Sequence, residues 1–390
     1  METIRLKKNE EKRILAGHLW IFSNEIEDFP SHIEPGAIVD AEDYRGSFIG
    51  RGYFNPRSLI SVRILTREKE EIDTAFFKKK IQFAYGYRKE IFPSEKSYRI
   101  VYSEGDFLPG LIIDKYDNSL VIQSLTAGIE KQLDIISNAL KEIFNPEVII
   151  ARNDVSIREL EGLKPEIRTL YGKLPDNLII ERNGIKFSVD IISGQKTGFF
   201  FDQCENYLKL KDIVTNKDVL DGFCYIGGWS LHAARYGAKS VIGIDSSEKA
   251  ISLAKENASI NGFADKCSFE AAEVFDRLRG LNKEGKKLDI IILDPPAFVK
   301  SRARIRQAIK GYKEINLQAM KLLRQGGYLI TCSCSHHLSQ EMLLDLLNDA
   351  ASDAKKTARL IEVRTQARDH PILLSIKETA YLKCAILQML

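Results

Sequence analysis

Two cysteines one residue apart, Cys332 and Cys334, close the run Gly326-Gly327-Tyr328-Leu329-Ile330-Thr331-Cys332-Ser333-Cys334-Ser335. The run reads as a turn followed by a strand. Alternation along a strand puts the two cysteines on one face, opposite Thr331 and Ser333. Cys334 lies nearer the strand's carboxyl end. A strand cysteine is commonly a small apolar core residue, but a thiolate at a strand end also has a chemical use. C5 of a pyrimidine is too weak a nucleophile to attack a methyl donor directly. A thiolate adding at C6 makes C5 enamine-like, so that C5 can take the methyl group; a base then removes the C5 proton and the thiol leaves. Such an adduct needs a group at N3. The run Asp289-Ile290-Ile291-Ile292-Leu293-Asp294-Pro295-Pro296-Ala297-Phe298 offers one, an acid at the end of an apolar strand. Asp294 serves at N3 if it is protonated or shares a proton there. The prolines stop the strand and have no N–H to donate. Phe298, two residues beyond them, can stack on a planar base. Asp-Pro-Pro read alone is a rigid turn.

A third segment, Val219-Leu220-Asp221-Gly222-Phe223-Cys224-Tyr225-Ile226-Gly227-Gly228-Trp229-Ser230, is a strand, a glycine-containing turn and a helix start. Glycine permits close backbone approach to a ligand, and doubly wound sheets bind cofactors at the carboxyl ends of their strands. The spacing is not G-x-G-x-x-G, which argues against a nicotinamide dinucleotide. S-adenosylmethionine has no phosphate and carries a cationic sulfonium and an amino-acid end, to which the carboxylate of Asp221 is suited. Phe223, Tyr225 and Gly227 are the expected cofactor contacts of the turn. Val241-Ile242-Gly243-Ile244-Asp245 ends in a second acid, placed to accept both ribose hydroxyls, although Asp245 also suits the cap of a helix beginning near Ser247. Glu273 and Val274 suit an adenine amino group and ring face. Asp294 borders the same crevice.

The elements that position these residues follow from periodicity. Short apolar runs at Val219–Leu220, Val241–Ile244, Ile290–Leu293 and Tyr328–Thr331 alternate with helical stretches, as in a parallel, doubly wound α/β sheet. Upstream, Gly36–Asp40, Phe48–Phe54 and Ser61–Leu65 are strand-like, the last alternating as a half-buried strand does. A helix is expected over Thr74–Phe92 and another near Gly128–Ile143, with strands at Tyr98–Ser103, Leu111–Lys115, Leu120–Ser124 and Val148–Arg152. Three modules result: a β-rich module over residues 1–72, an α+β module over 73–185 and the doubly wound domain over 186–390.

The 390 residues, 44% apolar and 28% charged with a net charge of +3, are those of an ordinary globular chain. A near-neutral total leaves a local basic face open. One such stretch, Lys300, Arg302, Arg304, Arg306, Lys310 and Lys313, directly follows Asp-Pro-Pro and suits phosphates or plain solvation. The six cysteines, at 204, 224, 267, 332, 334 and 384, form no C-x-x-C pair, so free thiols are expected and no metal site. His336 and His337 read as a solvated turn, and His18 and Trp20 as packing residues. No signal peptide is read at the N-terminus and no membrane span anywhere, so the cytoplasm is the expected compartment. A homodimer is among the assemblies the sequence allows.

Taken in order, these motifs make the chain resemble the large-ribosomal-subunit RNA methyltransferase I family, which forms 5-methylcytosine in bacterial large-subunit rRNA. Gly17–Ser23 and Gly52–Ser58 resemble its PUA module, an RNA-binding β-barrel. Ser193–Gln203 resembles the opening of its catalytic domain, and Asp294-Pro295-Pro296, Gly311–Asn316, Ser333-Cys334-Ser335 and Asp369-His370-Pro371 follow in the family's order. The resemblance covers nearly the whole chain. It implies a PUA-like barrel, a small α+β domain and a Rossmann-like class I methyltransferase domain, with S-adenosylmethionine as cofactor and large-subunit ribosomal RNA as partner. It implies Cys334 as nucleophile, in preference to Cys332. Asp221, Asp245 and Glu273 would face the cofactor and Asp294 the base. The family carries arginines where Cys204 and Tyr207 stand here, a departure that leaves the RNA target open. Two rivals remain: an Asp-Pro-Pro N-methyltransferase acting on guanine without a thiol, and a non-catalytic ribosome-associated RNA-binding protein.

Overall fold

Strands form where the apolar runs stand, and the sheets they build sort the chain into two compact units. The computed structural model describes residues 1–298 and 305–390. Unit 1 holds Met1–Ile180, Asp190–Phe201 and Arg368–Thr379, and unit 2 holds Glu181–Val189, Asp202–Ala367 and Ala380–Leu390.

In unit 1 the first sheet orders its strands Glu2–Arg5, Ala37–Glu42, Phe48–Phe54, Ile60–Thr66 and Trp20–Phe22. The second orders Ile167–Gly172, Val148–Arg152, Ser119–Ser124, Leu111–Tyr116 and Tyr98–Tyr102. The expectation of a half-buried strand at Ser61–Leu65 is corrected, because both faces are covered. Val62 and Ile64 join Phe54 in the core of the first sheet, while Leu65 joins Tyr53 in the core of the second. Arg63 is buried with them, and Glu161 answers its charge at 2.9 Å. An unpaired buried guanidinium would be far costlier. The helix expected near Gly128–Ile143 forms as two, Ala127–Lys131 and Leu133–Phe144. His18 is buried, edge-on to Trp20 at 5.4 Å between ring centroids, and the Trp20 indole N–H donates to Glu104 at 2.9 Å.

Two segments from the span expected for the doubly wound domain belong by their contacts to unit 1. Thr197 donates its hydroxyl to Asp114 at 2.5 Å, and Arg99 holds the same carboxylate at 2.7 Å. Asp369 accepts from the Arg99 backbone N–H at 3.1 Å, and its own carbonyl accepts from Arg88 at 2.6 Å. Thr197 and Asp369, both within the family-like motifs, are thus members of a buried polar network.

Among the described residues, the main sheet of unit 2 has seven strands: β1 (Asp218–Gly222), β2 (Ser240–Asp245), β3 (Cys267–Ala271), β4 (Leu288–Leu293), β5 (Leu323–Ser333), β6 (Ala358–Arg364) and β7 (Lys383–Met389). Helices α1 (Gly228–Arg235), α2 (Glu248–Ile260), α3 (Val274–Lys283), α4 (Ile305–Leu322) and α5 (Gln340–Asp353) connect them. The order is β3-β2-β1-β4-β5-β7-β6. The five strands from β3 to β5 are parallel, whereas β7 runs antiparallel to β5 and β6. The four strands read from the sequence as parallel are so, and the antiparallel pair β6 and β7 is added at this edge without a crossover helix between them. Leu278, Tyr312, Ile315, Leu343 and Leu347 from α3, α4 and α5 form one core with Leu220, Ile291 and Leu329 of the sheet. Among the described residues no helix is long and apolar enough to cross a membrane.

Candidate active site

The chemistry-bearing residues converge at the carboxyl ends of β1, β4 and β5, which are neighbours in the sheet. Register pairs Gly222 with Leu293, and Leu293 with Thr331. Asp221, Asp294 and Cys334 therefore stand at one edge of three adjacent parallel strands, where the strand direction of an α/β sheet leaves a crevice.

Asp221 is fully buried. Its Oδ2 accepts from the Ser230 N–H at 3.0 Å and the Ser230 hydroxyl at 2.6 Å, while its Oδ1 is buried without a hydrogen-bond partner. Burial raises the carboxyl to about 7; the charges of Asp294 and Asp245 push the same way and the Ser230 bonds oppose them. A buried acceptor with no donor is costly, and a cationic group would satisfy it. The amino end of S-adenosylmethionine has that character, so the residues fit the cofactor.

The loop after β1 is strained where it is expected to meet that cofactor. Phe223 and Tyr225 take left-handed backbone, with φ of 65° and 49°, a conformation that costs a non-glycine residue about 1–2 kcal/mol. Gly227, with φ of 89°, then caps α1. Asp245 pins the loop: its Oδ2 accepts from the Tyr225 N–H and its Oδ1 from the Ser247 N–H, each at 2.9 Å. The cap of α2 is Ser247, whose hydroxyl accepts from the Ala250 N–H. Gly228 has a different use from the one its neighbours suggest, since a Cβ there would lie 2.6 Å from the Tyr207 hydroxyl. Glu273 is exposed at the start of α3, and Val274 is packed into the core.

Asp294 continues the ladder past β4, its N–H donating to the Gly222 carbonyl at 3.3 Å. Two N–H donors fix its carboxylate: Gln203 at 2.9 Å and the Trp229 indole at 3.2 Å, both on Oδ2. Tyr207 packs against Trp229 and against His232, at 4.9 and 4.8 Å between ring centroids. Burial lowers His232 to about 4, so it is neutral, donating through Nδ1 to the Gly228 carbonyl at 2.7 Å. Cys204 and Tyr207, the positions that depart from the family pattern, are thus interior residues.

Cys334 does not continue the strand as alternation predicts, because β5 ends at Ser333. It is half-buried, while Cys332 is fully buried and held by burial and by Cys384 well above the ordinary thiol range. None of the six cysteines is joined in a disulfide. The serines on either side of Cys334 share one anchor: the Tyr312 hydroxyl of α4 lies 3.0 Å from the Ser333 hydroxyl and 3.2 Å from that of Ser335. Phe298, expected to stack on a base, has protein aromatics as neighbours, with Tyr312 at 4.6 Å, Phe275 at 5.9 Å and Phe223 at 6.4 Å.

Of the basic stretch, Lys300, Arg302 and Arg304 lie outside the described residues. Arg306 and Lys310 are exposed, and Lys313 pairs with Asp353 of α5 at 2.9 Å. His336 and His337 are exposed. The sequence does not single out Gln203, Trp229, Ser230 or Tyr312 as supports of the site. All four lie inside the quoted motifs, but only the fold reveals what each one holds.

A model of a PUA-like domain matches residues 4–67, and a model of the S-adenosylmethionine-dependent methyltransferases matches residues 166–384. Among solved structures, a candidate SAM-dependent methyltransferase from Streptococcus mutans superposes with a TM-score of 0.85 at 21% identity, covering 100% of both chains. A candidate methyltransferase complexed with SAH gives 0.87 at 20% identity with the same coverage. The fold is that of a class I S-adenosylmethionine-dependent methyltransferase carrying a PUA-like domain. Ribosomal RNA large subunit methyltransferase I of Tolumonas auensis is 41% identical over 387 residues, with 98% of each chain covered. The protein of the same name from Shewanella denitrificans is 41% identical over 386 residues, with 97% of each covered. This chain belongs to the Ribosomal RNA large subunit methyltransferase I family.

Proposed function

We propose that this protein methylates C5 of a cytosine in large-subunit ribosomal RNA through a covalent adduct on Cys334. One observation carries the reading: the half-buried thiol follows the strand next to the one that leads to Asp294, between two serines anchored on one tyrosine. A purely structural cysteine needs no such clamp. The family's name supplies the RNA.

S-adenosylmethionine, when bound, supplies a methyl group on a sulfonium. The Cys334 thiolate adds to C6 of the base, and Asp294, sharing a proton at N3, stabilises the electron density that arrives there. C5 takes the methyl group. Loss of the C5 proton to a base then restores the C5–C6 double bond and expels the thiolate. Asp221 is assigned the cofactor's ammonium group and Asp245 its ribose hydroxyls. The loop residues Phe223, Tyr225 and Gly227, with Glu273, Val274 and Asp294, are assigned the rest of the cofactor. Residues 1–72 are assigned to RNA binding, 73–185 to a linking domain and 186–390 to catalysis. Nucleoside mass spectrometry of large-subunit rRNA, from cells with and without the protein, tests the target. Loss of one 5-methylcytidine is expected; loss of a methylguanosine instead would establish the N-methyltransferase reading.

The Asp221 assignment carries a pH dependence. A carboxyl raised to about 7 is mostly protonated below that pH, and the neutral acid cannot pair with an ammonium group. Cofactor binding must then expel the proton, so affinity falls as pH drops, by up to ~10-fold per unit. Calorimetry with S-adenosylhomocysteine at pH 8, 7 and 6 should give a rising Kd, and Asp221→Asn a flatter profile. A Kd constant over that range for the unaltered protein would remove the assignment.

A further inference from the structure

Lys383 opens β7 and stands directly opposite Ser333 in the antiparallel pairing with β5. Lysine is rarely buried, yet this one is 9% exposed. Its ammonium donates to the carbonyls of Ser335 and Leu338, each at 2.7 Å. Both belong to the turn that follows Cys334. An ammonium has three N–H donors, and two of them tie this turn to β7. The electrostatic partner of that ammonium is Cys334.

We propose that Lys383 is the positioning residue of Cys334: it fastens the turn behind the thiol and places a cation on that turn, which raises the thiolate fraction. The proposal rests on the reading of Cys334 as nucleophile and adds how the thiol is activated. Burial lowers Lys383 to about 8, with Cys334 opposing that shift. A lysine held there by desolvation is stabilised by a neighbouring anion, and reciprocally stabilises that anion. Other titratable groups that face the thiols, among the described residues, do not replace it. Tyr312 faces Cys334 from α4 and, being pushed up by burial, stays neutral. Cys332 of β5 and Cys384 of β7 are buried thiols hydrogen-bonded to each other. Asp294, at the end of β4, carries charge of the sign that disfavours a thiolate, as it does for Cys332. Among the described residues the cation from β7 is a group that favours the thiolate.

Alkylation of the full-length protein by iodoacetamide between pH 6 and 10, with the Cys334 peptide followed by mass spectrometry, reads the thiol directly and needs no RNA. In the unaltered protein the midpoint is expected below the ~8.5 of a free thiol. In Lys383→Gln it should rise by about one unit, and Lys383→Arg should restore most of the shift, as an opposite charge nearby requires. Methyl transfer at pH 7 should fall about tenfold in Lys383→Gln and recover as pH is raised, the behaviour of a lost thiolate fraction. A midpoint in Lys383→Gln equal to that of the unaltered protein, with cofactor binding intact, would overturn the proposal. Should that variant not fold, a midpoint at or above ~8.5 in the unaltered protein overturns it equally. Full activity of Cys334→Ala would instead defeat the covalent reading, while a midpoint that rises in Lys383→Gln would still uphold the effect of Lys383 on the thiol.

Discussion

Cys334→Ala is expected to abolish methyl transfer to rRNA while leaving S-adenosylhomocysteine affinity within a few-fold of the unaltered protein. The adduct route has no substitute for its nucleophile, and deleting such a group can cost about 10⁶ in rate. At minimum a loss of ~10³-fold is expected, because an enzyme stripped of covalent catalysis keeps only positioning and electrostatics. The fold should tolerate the change. Cys334 lies beyond β5 and is half-buried, and the Tyr312 hydroxyl would still hold Ser333 and Ser335. Transfer of labelled methyl groups to an rRNA fragment measures the rate. RNA carrying 5-fluorocytidine adds a second readout. Fluorine at C5 cannot leave as a proton does, so the adduct persists on a denaturing gel with the unaltered protein and is missing with Cys334→Ala. A variant rate within about tenfold of the unaltered one would end the covalent mechanism.

Asp294→Asn should slow methyl transfer by about 10²–10⁴-fold, the range for loss of a positioned acid or base. The substitution is nearly isosteric. An amide oxygen can still accept from Gln203 and Trp229, as Oδ2 does at 2.9 and 3.2 Å, so the turn after β4 should hold. What the amide lacks is a titratable proton to share at N3. Adduct formation should therefore slow along with overall turnover, which quench-flow with the fluorinated RNA can resolve. An unchanged adduct rate with slow turnover would move Asp294 to the later step, removal of the C5 proton. A rate within a few-fold throughout would take it out of the acid–base chemistry altogether.

Much of the site is legible in the residues themselves. Asp221, Asp245, Asp294 and Cys334 each follow an apolar run of strand length, and in an α/β sheet such positions share one edge. The turn chemistry is legible too, through the glycines after β1 and the prolines after β4. The strands β3, β6 and β7 are harder to read. Cys267–Ala271 carries only a few apolar residues because it lies at the sheet edge, where several of its side chains reach solvent. Ala358–Arg364, at the opposite edge, is likewise largely uncovered. Lys383–Met389 begins with a lysine that nothing local marks as buried.

By itself the sequence determined the kind of fold, the cofactor class and the candidate reactive side chains, because these depend on local periodicity and on the chemistry of single residue types. Tertiary structure alone decided how those side chains are held. The donors on Asp294 come from Gln203 and Trp229, distant in sequence, and the anchor of Ser333 and Ser335 comes from a helix, Tyr312 of α4. The ammonium behind Cys334 is far along the chain, at Lys383. Partners of this kind follow from which strands lie side by side, an outcome of packing the whole sheet that no local pattern encodes.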